Sequence, residues 1–456
     1  MRSQKSVLIP TFASLLVGLA AVSAGAGCSS ASTPAGGAPG SGTPGGGPGA
    51  GQNGDAGGGG TTAEDGGPTA GDDGGPSGPS GGEDGGASPN EDAATGGPVA
   101  IPPMWDSGCG PVTSVAVTIA GGVVTLAGTV RSWSTNAGNT AGEYGNGTLG
   151  ANSGSVYSAQ GISNAIQVSA GTQSTCVLLN NGTVQCMGDN QYGEIGTGQQ
   201  SPETNPNITV PTTVTGITTA TAIASSELGT CAILQSSSSV CWGDWSSPPN
   251  PTPAVNPGWA TGVTDVAAGD YGSGDNEFCA VVSGAVKCLG TDTDGNLSPT
   301  FLQSGVLQVA VGHNFQCAVL SGGTAQCWGA NDVGQLGNGT NTDADNPVTV
   351  TGLTGATAIA ANGVAACAIV AGGEVMCWGS NQNGSLGNGS GQDSNVPVQA
   401  MGLTGVTSIS MSVYTSFVCA ISAGNLYCWG GNNQPGSSSA NLVTPTLMNP
   451  SLCTTP

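Results

Sequence analysis

One unit of about 50 residues recurs along this chain, and its recurrence restricts the fold more than any other feature. Residues 327–339 read CWGANDVGQLGNG, and residues 377–389 read CWGSNQNGSLGNG. A second cysteine lies ten residues upstream of each copy, at Cys317 and Cys367. Units of this size bury a core only by stacking on their neighbours. The sequence therefore predicts a repeat architecture, which favours a binding surface over an enclosed reaction chamber.

Paired cysteines identify six such units, and a seventh keeps the pattern without them. The pairs are Cys176 with Cys186, Cys231 with Cys241, Cys279 with Cys288, Cys317 with Cys327, Cys367 with Cys377, and Cys419 with Cys428. The cysteine-free unit contains Trp133 and residues 145–148, which read GNGT. The chain thus carries seven units, and an apolar residue, most often tryptophan, recurs at one position of the unit.

Each cysteine pair brackets a short β-hairpin. Residues 317–320 and 324–328 read as strands on either side of the turn at 321–323. Antiparallel pairing around this turn places Cys317 opposite Cys327. In two units the cysteine spacing shrinks from ten to nine residues, and the turn shortens by one residue as well. Because a register slip would send the cysteines to opposite faces, this joint change predicts six cross-strand disulfides.

The hairpin, the Trp-Gly-x-Asn-x-x-Gly-x-Leu-Gly stretch at 328–337 and 378–387, and the seven units resemble the regulator of chromosome condensation repeat family. The resemblance covers roughly residues 112–448. It is weak in the third unit, where residues 245–253 replace the glycine-rich loop, and in the fourth. It implies a seven-bladed β-propeller with four-stranded blades. Many short strands, glycine-rich turns and a regular period predict the same all-β class.

The two ends of the repeat region suggest how the ring closes. The first unit begins at residues 115–119, the equivalent of the alanine-rich segment 356–360, and residues 441–447 form a last strand that no hairpin follows. We expect this C-terminal strand to complete the first blade. Cys109 and Cys453 flank the ring, and we expect them to form a disulfide, with two unrelated free thiols as the alternative.

Residues 1–27 read as an export signal. Arg2 and Lys5 precede an apolar segment, and the small residues before Cys28 resemble a bacterial lipoprotein cleavage site. We expect lipidation of Cys28 and export to the bacterial cell envelope, as an outer-membrane lipoprotein facing the periplasm or the cell surface. Gly25 departs from the lipoprotein pattern, so plain secretory cleavage remains the alternative. Without Cys28, fourteen of the fifteen cysteines remain, an even number that suits an oxidised, exported chain.

Residues 28–108 are dominated by glycine, proline, serine and acidic residues, with few large apolar side chains. Such a segment cannot bury enough surface to offset the entropy of ordering, so it predicts a disordered tether. A flexible glycine-rich coil of this length spans on the order of 50 Å. The tether would hold the propeller, at 109–456, clear of the envelope.

Charge excludes one class of function. The chain has four basic residues, and only Arg131 and Lys287 lie beyond the signal. Two cations cannot neutralise a phosphate backbone, so we expect no binding to nucleic acid.

The sequence also offers little for catalysis or for a metal. His313 is the single histidine, so a zinc site of several imidazoles cannot be assembled, and we expect no enzyme activity and no cofactor. Asp292 and Asp294 resemble the start of a calcium loop, yet they align with the ordinary repeat loop and lack its later glutamate. We predict no metal there, with calcium binding as the alternative.

These observations predict a monomeric protein-binding module, attached to the membrane through its lipid anchor only, with an unidentified protein partner on one propeller face. Trp245 and Trp259 bracket the proline-rich residues 248–253 and are the candidate partner contacts. In the alternative interpretation this loop packs its own aromatic rings on the rim. Two other functions stay open: a carbohydrate-binding adhesin that adds Tyr192 and Tyr271, and a hydrolase or lyase with carboxylate chemistry.

Substitution Cys28→Ser tests the anchor. We expect the variant to appear in the soluble fraction, because it lacks the acylated thiol that holds the chain to the bilayer. Membrane fractionation of cells that export the protein measures this. An unchanged membrane-bound fraction would contradict lipidation at Cys28.

Overall fold

This computed structural model describes residues 110–118, 121–134, 139–150, 155–201, 207–244, 249–255, 259–270, 276–289, 302, 304–412, 416–431 and 441–448. The expectations for the signal, the tether, Cys28, Cys109, Cys453, Trp245, Tyr271, Asp292 and Asp294 lie outside these residues. Among the described residues, no helix has the length and apolar character needed to cross a bilayer.

Seven antiparallel sheets form the seven blades of a β-propeller, and each blade is a meander of consecutive strands. The inner strands are β1 (Val112–Thr118), β5 (Ala165–Ala170), β9 (Ala220–Ser225), β13 (Val263–Asp270), β16 (Val306–Val311), β20 (Ala356–Ala361) and β24 (Val406–Met411). The second strands are β2 (Gly121–Leu126), β6 (Ser174–Leu179), β10 (Gly229–Leu234), β14 (Asn276–Val282), β17 (Phe315–Leu320), β21 (Ala365–Val370) and β25 (Val418–Ser422).

The third strands are β3 (Thr129–Ser134), β7 (Val184–Gly188), β11 (Ser239–Gly243), β15 (Ala285–Leu289), β18 (Ala325–Gly329), β22 (Val375–Gly379) and β26 (Asn425–Gly430). The outer strands are β4 (Val156–Ser158), β8 (Ile208–Thr213), β12 (Asn250–Val255), β19 (Ala344–Thr349), β23 (Ser394–Gln399) and β27 (Leu442–Leu447). In the fourth blade the described residues provide three strands, β13 to β15. A 3₁₀ turn at Gln382–Gly384 follows β22.

The second strand of a blade shows why the repeat must stack. Strand β6 is buried at all six of its residues, and β21 at five of six. A continuous apolar run of this length suits a strand covered on both faces, here by the neighbouring blades. The inner strands contact one another in sequence, and β24 also contacts β1, so the blades form a closed ring.

The hairpin prediction is confirmed by the strand register. Cys317 pairs with Cys327, and the units with nine-residue spacing keep the same opposition, as at Cys279 and Cys288. A one-residue change in spacing therefore leaves the cysteines on the same face, because the turn changes with it.

All six hairpin pairs are disulfide-bonded, with Cα–Cα distances of 3.9 to 4.1 Å. The bridges join Cys176 to Cys186, Cys231 to Cys241, Cys279 to Cys288, Cys317 to Cys327, Cys367 to Cys377, and Cys419 to Cys428. All twelve cysteines are buried, so they belong to the core and take no part in a surface site. Each bridge closes a loop of about ten residues and contributes roughly 2–3 kcal/mol on the chain-entropy model.

The predicted ring closure was wrong. Strand β27 pairs with β26, with Cys428 opposite Thr446, and therefore completes the seventh blade. The first blade has its own outer strand, β4, with Val156 opposite Trp133. The reason is the phase of the unit: the outer strand follows the hairpin in the same unit and does not belong to the next one.

Packing between the first and seventh blades closes the ring instead. Val115 and Trp133 of the first blade share a buried cluster with Phe417 and Leu426 of the seventh. The backbone N–H of Val112 also donates to the carbonyl of Gly424 at 3.0 Å. Within the described residues, closure therefore rests on apolar burial and this main-chain contact, and β4 and β27 each stay in their own blade.

Proline marks the outer strands at a constant place. It is the fourth residue of β8, β12, β19, β23 and β27, at Pro211, Pro253, Pro347, Pro397 and Pro445. Proline has no N–H to offer to a further strand, so it is typical of sheet edges and hinders edge-to-edge pairing between molecules.

Two glycines of one unit provide a test of the packing between blades. Gly337 and Gly352 both have positive φ, at 64° and 73°. A Cβ on Gly337 would lie 2.7 Å from Cδ1 of Trp378, whereas one on Gly352 would meet nothing within 4 Å.

We expect Gly352→Ala to lower the free energy of unfolding by about 1 kcal/mol, from left-handed backbone strain alone. Gly337→Ala should cost roughly 2 kcal/mol more, because the ring of Trp378 must shift. Urea unfolding followed by tryptophan fluorescence measures both values. Equal losses for the two variants would show that the Trp378 contact carries no packing energy.

Candidate binding cleft on the loop face

Strand direction divides the loops between two faces. Because consecutive strands run antiparallel, the turn after the inner strand and the loop after the third strand open on the same face. We call this the loop face. The opposite face carries the hairpin turns, such as residues 321–323, and we call it the hairpin face.

A buried asparagine holds the glycine-rich loop in four of the blades. In the fifth blade, Asn331 Oδ1 accepts the N–H of Leu336 at 2.9 Å, and its Nδ2 donates to the carbonyls of Thr340 and Thr342 at 3.0 and 2.9 Å. The same arrangement recurs at Asn139, Asn190 and Asn381. In each, Oδ1 accepts a backbone N–H and Nδ2 donates to a carbonyl of the loop. These loops are therefore shaped by internal hydrogen bonds and do not need a ligand to order them.

Hydrogen bonds join three of these loops to a buried tryptophan of the next blade. Nε1 of Trp378 donates to the carbonyl of Gln335 in the preceding blade at 2.9 Å. Trp242 bonds in the same way to Glu194, and Trp429 to Ser385, each at 2.8 Å. The recurring tryptophan thus has a packing and bonding role between blades.

Between the fifth, sixth and seventh blades the loop face contains a cleft of about 660 Å³. Its walls come from the turns after the inner strands and from the glycine-rich loops of the fifth and sixth blades. The lining residues are His313, Asn314, Ala330, Asp332, Gln335, Asp343, Asn362, Gly363, Val364, Gln382 and Ser416. A cleft of this size falls within the range of small-ligand and peptide sites.

Two carboxylates of the cleft are held by neighbouring donors. Asp332 Oδ1 accepts from Nε2 of Gln335 at 2.9 Å, and Asp343 Oδ1 accepts the N–H of Asn331 at 2.7 Å. Both aspartates are exposed. His313 lies half-buried in the same wall.

Acidic side chains gather on the loop face beyond the cleft. They are Glu143, Asp189, Glu194, Glu227, Asp244, Glu277 and Asp393, which lie in its turns and loops or at the strand ends next to them. Arg131 and Lys287 lie in the middle of β3 and β15, away from these loops. Among these acids Asp393 is exposed and Glu227 and Asp244 are half-buried, and the loops of this face contain no lysine or arginine.

Glu143, Asp189, Glu194 and Glu277 are buried, and burial raises the pKa of the three glutamates. Burial raises the pKa of Glu194 to about 7, and the nearby charges of Asp189 and Asp244 act in the same direction. Burial also raises the pKa of Glu277 to about 7, although the hydrogen bond from Nε2 of Gln316, at 2.7 Å, lowers it in part.

The only close group of potential metal ligands among the described residues is Glu277 with Cys279 and Cys288. The two sulfurs are bonded to each other, so this set does not suit a metal ion.

Of the two predicted partner contacts, Trp259 does not line the cleft, and Trp245 lies outside the described residues. Trp259 is fully buried in a cluster with Cys231 and Phe278, so its ring cannot supply the exposed contact expected of it. It fills the space between one outer strand and the next inner strand, where Leu353 and Leu403 are buried in their own blades. Of the residues considered for an adhesin, Tyr192 is half-buried.

Sequence reasoning missed most of the cleft residues. The signal that could have found them is the difference between otherwise similar units. Asp332 stands where the sixth blade has Gln382, and Asn362 where the fifth has Gly312.

Residues 165–194 and 356–385 match one model of the regulator of chromosome condensation (RCC1) repeat, and residues 323–367 and 372–421 match a second. The chain therefore carries RCC1 repeats in its second, fifth, sixth and seventh blades. No curated protein is significantly similar in sequence.

Solved structures show the same fold at low sequence identity. Prp20p from Saccharomyces cerevisiae, described with its binding properties to Gsp1p and histones, is 16% identical with a TM-score of 0.60. The match covers 74% of this chain and 86% of that one. Yeast RCC1 (Prp20) with Kap60 bound is 15% identical with a TM-score of 0.59, over 73% and 85% of the two chains.

Substitution Glu194→Gln tests the buried carboxyl, and Gln335 already occupies the equivalent place in the fifth blade. A raised pKa means that the folded state binds the proton more tightly than the unfolded state. This contribution to stability is complete below pH 4.5 and is lost as the pH rises to about 7. The variant should not lose this stability as the pH rises. Its free energy of unfolding at pH 8 should exceed that of the wild type by about 3 kcal/mol.

Urea unfolding between pH 4.5 and 8 measures the effect. Glu374→Gln, at an exposed position on the hairpin face, is the control and should keep the wild-type profile. If Glu194→Gln and the wild type respond identically to pH, Glu194 is not the group that titrates.

Proposed function

We propose that this protein is an exported cell-envelope lipoprotein that displays its propeller as a monomeric protein-binding module. The observation that carries the proposal is the cleft on the loop face, which opens between three blades of a cross-linked ring. The cleft is lined by polar and charged side chains whose loops are already held by internal hydrogen bonds.

Rigidity supports a binding role. Six disulfides, the tryptophan bonds between blades and the buried asparagines fix the loops before any partner arrives. Association costs less free energy when the binding surface is ordered in advance. A stable display surface is what a receptor-like module needs.

Disulfides also support the proposed compartment. Bridges in six of the seven blades form and persist in oxidising environments such as the periplasm or the cell surface. This agrees with the export signal and the acylation site expected at the N-terminus. The outer-strand prolines are consistent with a monomer, because they hinder edge-to-edge pairing.

The structural relatives favour a protein partner. Kap60 was solved bound to yeast RCC1, and Prp20p is described with its binding to Gsp1p and histones. Their identity to this chain is too low to transfer any of these partners, so we infer only the general role of a propeller that binds protein.

We infer a non-catalytic role for the cleft. Nucleophilic or general-base chemistry needs a side chain within hydrogen-bonding reach of its activating partner. Among the described residues, no hydrogen bond joins His313 to a carboxylate or a hydroxyl group. The carboxylates of the cleft instead bond to an amide group and to a backbone N–H.

Photo-crosslinking in cells that export the full chain tests the module. A photoreactive amino acid at Gln382, exposed in the cleft wall, should form adducts with envelope proteins. The same probe at Glu374, exposed on the hairpin face of the same blade, is the matched control and should form few. The absence of adducts at both positions would reject a protein-binding role. Adducts at Glu374 alone would show that the partner binds the hairpin face and not the loop face.

A further inference from the structure

We propose that the cleft on the loop face binds a cationic segment of a polypeptide, with lysine or arginine side chains paired to Asp332 and Asp343. This inference rests on the proposed protein-binding function and adds the chemical class of the partner. It is carried by three features of the cleft: its carboxylates, one buried amide and its surrounding charge.

The two carboxylates are prepared for a cation. One oxygen of each is occupied, by Nε2 of Gln335 for Asp332 and by the N–H of Asn331 for Asp343. Their second oxygens have no donor within the described part of the chain. Carboxylates that are already oriented lose less conformational entropy on pairing, and a guanidinium or ammonium group can occupy the free oxygens.

A buried amide supplies a different contact. Asn362 is 1% exposed and lines the cleft. Its Oδ1 accepts the N–H groups of Val364 and Ala365 at 3.0 and 2.7 Å, which fixes the orientation of the amide. Nδ2 bonds to no acceptor among the residues described and is not one of the fully buried atoms without a partner, so it is a solvent-accessible donor at the cleft.

An amide donor suits the backbone carbonyl of a bound peptide. The equivalent position in the third blade is Ser226, whose hydroxyl oxygen accepts the N–H of Gly229 at 3.2 Å and thus satisfies the same turn. The fifth blade has Gly312 there. The extra Nδ2 of Asn362 is therefore not needed to form the turn, and it is available for recognition.

The surroundings favour positive charge over other ligands. The loops of this face contain acidic residues and no lysine or arginine, so an anionic ligand would be repelled. In the described residues, no cluster of three metal-ligating groups lies at the cleft. A cationic peptide offers both charges for Asp332 and Asp343 and backbone carbonyls for Asn362, all of which line the cleft.

Fluorescence anisotropy with the full-length protein tests the inference. The probe is a short labelled peptide of alternating arginine and glycine, and the reference is the same peptide with glutamine in place of arginine. We expect the arginine peptide to bind more tightly. The double variant Asp332→Asn/Asp343→Asn should weaken its binding about 10-fold, the effect of two solvent-exposed ion pairs.

Two further variants distinguish specific contacts in the cleft from a general effect of the protein's negative charge on peptide binding. Asp345→Asn/Glu374→Gln removes the same number of charges from exposed positions outside the cleft, and its affinity should change less than about 2-fold. Asn362→Ser keeps an oxygen for the turn, as Ser226 does, but removes Nδ2, and it should weaken binding about 5-fold.

Equal binding of the arginine and glutamine peptides, or equal losses for the two double variants, would overturn the inference. The proposed function is judged separately by photo-crosslinking at Gln382. If adducts form there and persist unchanged in Asp332→Asn/Asp343→Asn, the protein-binding role stands and the cationic partner is rejected.

Discussion

The hydrogen bond from a tryptophan indole to a loop carbonyl of the preceding blade joins the core of this propeller to its loop face. Trp378 lies fully buried between sheets, and its Nε1 reaches the loop that also contains Asp332 and Asn331. A buried donor left without this carbonyl would cost about 1–3 kcal/mol. The position of the loop, and therefore of the cleft carboxylates, is set by how one blade packs on the next.

Features within one unit could be predicted from the sequence. The register of the hairpins follows from turn length and cysteine spacing, so Cys317 and Cys327 could be placed opposite each other without a structure. The boundaries between units could not be predicted as well. A periodic sequence has the same period wherever the unit is taken to begin, and the outer strand β27 was for that reason assigned to the wrong blade.

The cleft was beyond sequence reasoning for a different reason. Its walls combine residues of three blades, such as His313, Asn362 and Ser416, which are about 50 residues apart along the chain. No local pattern records that these turns converge. The degenerate third unit attracted attention because it breaks the repeat, yet Trp259 proved to be a larger side chain at a position that is apolar and buried in other blades.

Each blade with four described strands is one uninterrupted stretch of chain, from its inner strand to its outer strand. Within the described residues, side-chain packing seals the junction between the first and last blades. Duplication or loss of one unit in the gene would therefore add or remove a whole sheet without dividing another. The diameter of the ring can therefore change in evolution while each of the six hairpin disulfides stays within its own blade.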